Sequence, residues 1–345
     1  MRGTMRAIAA LARAAGFLLA LSSASAGAQT QAPAPAPAGP LGPYKLVKTI
    51  DLPGGRGGTG GQIAFDAETA SAWVAQAPSK NIVVIETGAN TVRQVIEGIE
   101  SPSGICFSEH YAFVADAAAN ATAVIGKRSL EKATSLKLVG QQPDNVYFDT
   151  KNGALWIAAS GGEITVYKAV GHGGLKRLAG LKLKPAPAKE PLGRGIYVAS
   201  KDRIYQPVDD RIEVIDPMSR RSEHAWKVAD AVRITSLSYD AKADRLIVGT
   251  VGKFVAVIDA KTGKELGKVA LKGEIGAVAF DASTRHAFAA DRAGQIAVID
   301  IDRTSLAALI PSDQEVQALT LDPHSHYLYV YRDQANKVDV FEPRQ

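Results

Sequence analysis

The chain has 345 residues, 46% hydrophobic and 22% charged, which leaves room for one large β domain or two ordinary ones. Its formal charge is +5, but residues 1–28 hold three arginines and no acid, so the rest carries +2 and no blanket attraction to nucleic acid or anionic lipid is expected. The single cysteine, Cys106, excludes an internal disulfide, CxxCH haem attachment and a thiolate zinc cluster.

Residues 1–28 place arginines at positions 2, 6 and 13 before an apolar run from Phe17 to Leu21, with small residues at Ala26 and Ala28. This is the pattern of a secretory signal peptide cleaved after Ala28, and the run is too short to span a membrane. The expected location is therefore periplasmic or secreted, with no membrane span after cleavage. An uncleaved signal anchor is the rival reading. Residues 29–43 are an Ala/Pro tract that cannot bury a core and is expected to act as an extended linker. The folded domain is predicted over residues 44–345.

From residue 63 onward the chain repeats. A short β-type run ending in a turn residue recurs as IAFD (63–66), ICFS (105–108), VYFD (146–149), LSYD (237–240), VAFD (278–281) and LTLD (319–322). Most spacings are 41 or 42 residues, and the one long gap has room for another copy, for which IYVAS (196–200) is the best candidate. A second marker runs in step: IVVIE at 82, AVIG at 123, ITVYK at 164, IEVID at 212, VAVID at 255, IAVID at 296 and VDVFE at 338. Another apolar run lies between the markers and a fourth follows the second, so each repeat holds four short strands in about 40–45 residues. The expected fold is all-β, a seven-bladed β-propeller of four-stranded blades.

The Gly/Pro/Lys-rich stretch from Ala169 to Gly193 reads as a long loop at the edge of blade 3. The last repeat ends at VDVFE, a third strand with none after it. YKLVKTID at 44–51 matches the fourth-strand pattern, so the N-terminal strand is predicted to complete the last blade and leave no exposed edge.

Residues 73–108 carry Trp73-Val74-Ala75-Gln76, then Lys80-Asn81-Ile82-Val83-Val84-Ile85-Glu86, then Ser101-Pro102-Ser103-Gly104. This segment resembles the repeat of the YVTN family of exported bacterial propellers: a name-giving tetrad, an Asn-x-Val-x-Val-Ile-Asp run and a Pro-x-Gly turn. The likeness extends over about residues 44–345, strongly in blades 1, 2, 5, 6 and 7. It implies the fold. Related propellers include lactonases and cofactor-bearing dehydrogenase subunits, so it does not imply one activity.

That resemblance puts the loops entering each first strand on one face, around a central channel. Two residues before each apolar starter stand Gly61, Ser103, Asp144, Arg194, Thr235, Gly276 and Gln317. Four before it stand Thr59, Ser101, Gln142, Leu192, Arg233, Glu274 and Glu315. The second-to-third-strand loops add Lys80, Asp116, Asp210, Lys253, Asp291, Arg292 and Arg332. The candidate ligand-binding set is Arg194, Arg233, Asp144, Asn145, Glu274, Gln317 and Arg332. Arg194 and Arg233, from successive blades, are expected to fork onto a carboxylate or phosphate. The alternative is a set of solvated loop charges pairing with one another.

Asp144, Asn145 and Glu274 also offer the oxygen donors that a calcium-dependent lactonase-type propeller uses. His324 and His326, with His286 in the equivalent turn of blade 6, have metal-ligand spacing but fall in turns on the opposite face. No nucleophile elbow, HExxH or phosphate-binding loop is present. GGRGGTGGQ (54–62) precedes a strand and so lacks a helix N-terminus for phosphate.

The expected function is a non-enzymatic binding scaffold of the cell envelope, holding a small polar ligand or an envelope protein partner. It is expected to be a monomer without a cofactor. The alternatives are a lactonase-type hydrolase at the channel mouth, with Asp144 or Glu274 as base, and a periplasmic propeller that binds a redox cofactor.

Overall fold

The computed structural model describes residues 43–54, 57–58, 60–138, 142–170, 174–178, 180–183, 192–312 and 315–344. The expected signal peptide and nearly all of the Ala/Pro tract lie outside the described residues.

Seven antiparallel sheets form the blades of a β-propeller. Their first strands are Ile63–Asp66, Pro102–Phe107, Pro143–Asp149, Ile196–Val198, Ile234–Asp240, Ile275–Asp281 and Ala318–Leu321. These strands neighbour one another around the ring and so are the inner strands. Blade 4, the most divergent in sequence, has its first strand within the IYVAS run.

The core is divided among the seven gaps between blades. One buried apolar cluster fills each gap, from Trp73, Ile99 and Val114 between blades 1 and 2 to Ile50, Tyr331 and Val83 between blades 7 and 1. This explains the sequence pattern. Each middle strand is covered on both faces by neighbouring blades, so Ser71–Gln76 is buried at every position and its sequence does not alternate. The fourth strands lie at the rim and are largely exposed, as in Thr91–Glu97.

Blade 7 closes as the sequence predicts. Tyr44–Asp51 pairs antiparallel with Lys337–Pro343, from Tyr44 opposite Pro343 to Asp51 opposite Lys337, with a bulge at Val47. Tyr44 and Ile50 are buried by this pairing, and Lys45 reaches Glu342 at 2.5 Å. The free edge of the last repeat is thereby removed.

The stretch after Ala169 departs from the expected long loop. Gly174–Arg177 and Leu181–Lys182 both pair with Glu163–Val170, so the outer strand of blade 3 is supplied in two pieces. Leucines drive this: Leu183 is buried, and Leu178 and Leu181 pack on the cluster between blades 3 and 4.

On the face opposite the candidate mouth, carboxylates at the inner-strand ends tie blades together. Asp240 receives both terminal nitrogens of Arg285 from the next blade, and Asp66 is 3.0 Å from the buried Lys127 ammonium. His326 belongs to the same pattern, with Nδ1 3.1 Å from Asp281 across the gap between blades 6 and 7. His324 Nδ1 lies 3.6 Å from Asp322 in its own turn, and among the described residues no cluster of His, Cys, Asp and Glu fit to hold a metal is found.

Candidate functional site

The inner strands are irregular at their mouth ends. Register shifts lie between Pro102 and Ile105, Pro143 and Asn145, Ile234 and Ser236, and Ile275 and Val278. A β-bulge leaves a residue unopposed and re-aims its side chain. The residues within these bulges include Ser103, Asp144, Thr235 and Gly276, all of which line one pocket of about 220 Å³.

The inner strands approach closely there. A Cβ on Gly276 would lie 2.2 Å from the Gln317 carbonyl oxygen, and one on Gly61 (φ +127°) would lie 2.2 Å from that of Ala75. Only glycine fits either place.

All seven residues two before the apolar starters line this pocket, together with Asn145, Leu192, Arg233, Glu274 and Arg292. Six of the seven candidate ligand-binding residues are thus brought together. Arg332 is not among them. Its guanidinium is buried in blade 7 and held by Asp339, with Nε 2.8 Å from Oδ2, because a charge buried at the end of the strand Leu328–Arg332 must be neutralised there. The other carboxylates expected from the second-to-third-strand loops are also structural where buried. Asp116 accepts from the backbone of Glu100 and Ser101, and Asp291 from that of Ala293. Thr59 lies outside the described residues.

Much of the pocket's polar inventory holds neighbouring inner strands together. Asn145 donates to the Leu192 carbonyl at 3.0 Å, Ser103 to that of Asp144 at 3.0 Å, and Thr235 to that of Ile275 at 2.7 Å. Gln62, which sequence reasoning passed over, accepts from the Ile105 amide at 2.9 Å. Its signal was its place directly before the blade 1 starter.

Two guanidiniums remain. The backbone of Arg194 is docked on blade 5 through a bond from its N–H to the Thr235 carbonyl at 2.8 Å. Its side chain crosses the channel to the Gly61 carbonyl, 3.1 Å away. Arg233 is presented by a strained turn. Its N–H donates to the Ala231 carbonyl, closing a γ-turn around Val232, whose φ is +57°. Such a turn is rare, and a β-branched residue in that region is an outlier. The Arg233 carbonyl accepts from Val251, which fixes the residue beyond the turn.

No ion pair joins Arg194 or Arg233 to a carboxylate among the described residues. Glu274 lies 3.6 Å from Arg292, which also bonds Glu315. Asp144 accepts from the Ser160 hydroxyl at 2.9 Å, and burial pushes its carboxyl up to about 6. Burial also pulls the Arg194 guanidinium down to about 10, which leaves it charged at neutral pH. Cys106, on the inner strand of blade 2, has its thiol pushed well above the ordinary range by burial and is not set up as a nucleophile.

A calcium site does not fit these residues. Glu274 faces Arg292, while two further cations, Arg194 and Arg233, line the same small pocket. Three guanidiniums around so small a space oppose a divalent cation, whose charge they repel.

Residues 65–169 match a family model described as Arylesterase. This stretch covers most of blades 1 to 3, without the outer strand of blade 3, and includes Asp144 and Asn145. Among solved structures, the chain is similar to the hydrazine synthase of Kuenenia stuttgartiensis, with 14% identity, a TM-score of 0.73, and coverage of 85% of this chain and 96% of that one. At that identity the likeness concerns the propeller fold alone. No curated protein matches the chain.

Proposed function

We propose that this propeller is an exported binding protein that holds a small anion at its channel mouth. The observation that carries this reading is the pair of guanidiniums, Arg194 and Arg233, lining one pocket without a carboxylate partner among the described residues. A half-buried cation without a counter-charge is costly, and an anionic ligand offsets that cost through bidentate hydrogen bonds. The YVTN-type repeat read at residues 73–108 agrees with an exported scaffold. Native mass spectrometry of the protein taken from its source, followed by titration with carboxylates, phosphate and sulfate, tests the reading. Binding that is lost in the Arg194→Ala/Arg233→Ala double variant supports it, and binding unaffected by that variant sinks it.

Ester or lactone hydrolysis is the second reading, favoured by the Arylesterase match and by Asp144. With its carboxyl at about 6, Asp144 is mostly ionised at neutral pH and is basic enough to take a proton from an attacking water. The water oxygen would bond to the ester carbonyl carbon as Asp144 takes its proton, the guanidiniums would stabilise the resulting oxyanion, and on its collapse the C–O bond to the alcohol would break while Asp144 returns the proton to the departing alkoxide. Turnover of aryl esters or lactones that is lost in Asp144→Asn would favour this reading over simple binding.

A further inference from the structure

The mouth pocket is continued by a second chamber of about 410 Å³, which follows the inner strands towards their far ends. Gln62 and Arg194 line both spaces, so the two meet at these residues. Their chemistry differs. The mouth is lined by Asp144, Arg233, Glu274 and Arg292 among others, whereas the second chamber is walled by uncharged residues, with Ala64, Ala279 and Phe280 beside Ser238 and Thr320. Among the described residues, Arg194 is the only charged residue that lines it.

We infer that the ligand is a monoanion with an uncharged, largely apolar body. Its carboxylate is held in the mouth by Arg194 and Arg233, and its body extends past Gln62 into the second chamber. This rests on the anion reading above and adds the ligand class to it. A second charge on the body would enter a chamber that has no cation beyond Arg194, and its desolvation would go uncompensated. An alkyl or aryl body instead removes apolar surface from water on walls of alanine, valine and leucine.

Calorimetry of the full chain with straight-chain carboxylates from acetate to octanoate tests this at one pH and one salt concentration. Affinity is expected to rise about fourfold with each added methylene until the chamber is filled. In Thr320→Phe, checked for an unchanged melting temperature, the long chains should fall towards the affinity of acetate while acetate itself is unaffected. A flat chain-length series in the parent protein, with acetate binding still dependent on the arginines, overturns the chamber assignment and leaves the anion reading intact. Failure of every carboxylate, sulfate and phosphate to bind overturns both.

Discussion

The guanidinium of Arg194, on blade 4, donates to the carbonyl of Gly61, at the start of blade 1, over 3.1 Å and across the channel. One arginine therefore marks the boundary between a polar mouth and an uncharged chamber, and it has further N–H groups for a ligand. Replacing Arg194 or Arg233 by alanine should weaken sulfate binding about 10- to 150-fold, the range set by 1.5–3 kcal/mol for a charge-assisted hydrogen bond. The two losses should be non-additive in a double-mutant cycle measured by calorimetry. Additive losses would show that the arginines do not share one anion.

Asp144 should make this binding depend on pH. Burial raises its carboxyl from 3.8 to about 6, so below that value it is neutral and above it a negative charge stands in the anion pocket. Sulfate, whose charge is constant over the range, should bind more weakly as pH rises through 6. In Asp144→Asn the step should vanish. Stability follows the same sign: this raised group contributes fully below 3.8, and its contribution is lost as pH rises through about 6.

The γ-turn at Val232 stores strain on an exposed residue, 74% accessible. A residue held there costs about 1–3 kcal/mol, while glycine occupies positive φ freely at an entropic cost of up to about 1 kcal/mol. Val232→Gly should therefore stabilise the protein by about 0.5–2 kcal/mol in urea unfolding. A destabilised variant would show that the turn is unstrained.

Closure of the ring should be indispensable. Deleting residues 44–52 removes buried Tyr44, Ile50 and Leu52 and exposes the edge of Lys337–Pro343. The expected outcome is aggregation or a large drop in melting temperature, read by light scattering and circular dichroism. A soluble variant that melts like the parent would refute the role given to this strand.

The blade count, the closing strand and the ring of residues two before each starter were legible in the sequence by itself. The physical reason is locality: a four-stranded blade repeats every 40 or so residues, and burial of both faces of its middle strands leaves a phased apolar pattern that needs no knowledge of distant contacts. That same register brought Gly61, Ser103, Asp144, Arg194, Thr235, Gly276 and Gln317 onto one pocket. Only the tertiary structure decided what those side chains do. Arg332 and Arg194 are both arginines of propeller blades, yet one is neutralised inside blade 7 by Asp339 and the other crosses the channel to Gly61. The bulges that aim Asp144 and Thr235, the γ-turn before Arg233 and the uncharged chamber beyond Gln62 depend on how inner strands of different blades crowd one another. These contacts join residues far apart in the chain, and no local pattern encodes them.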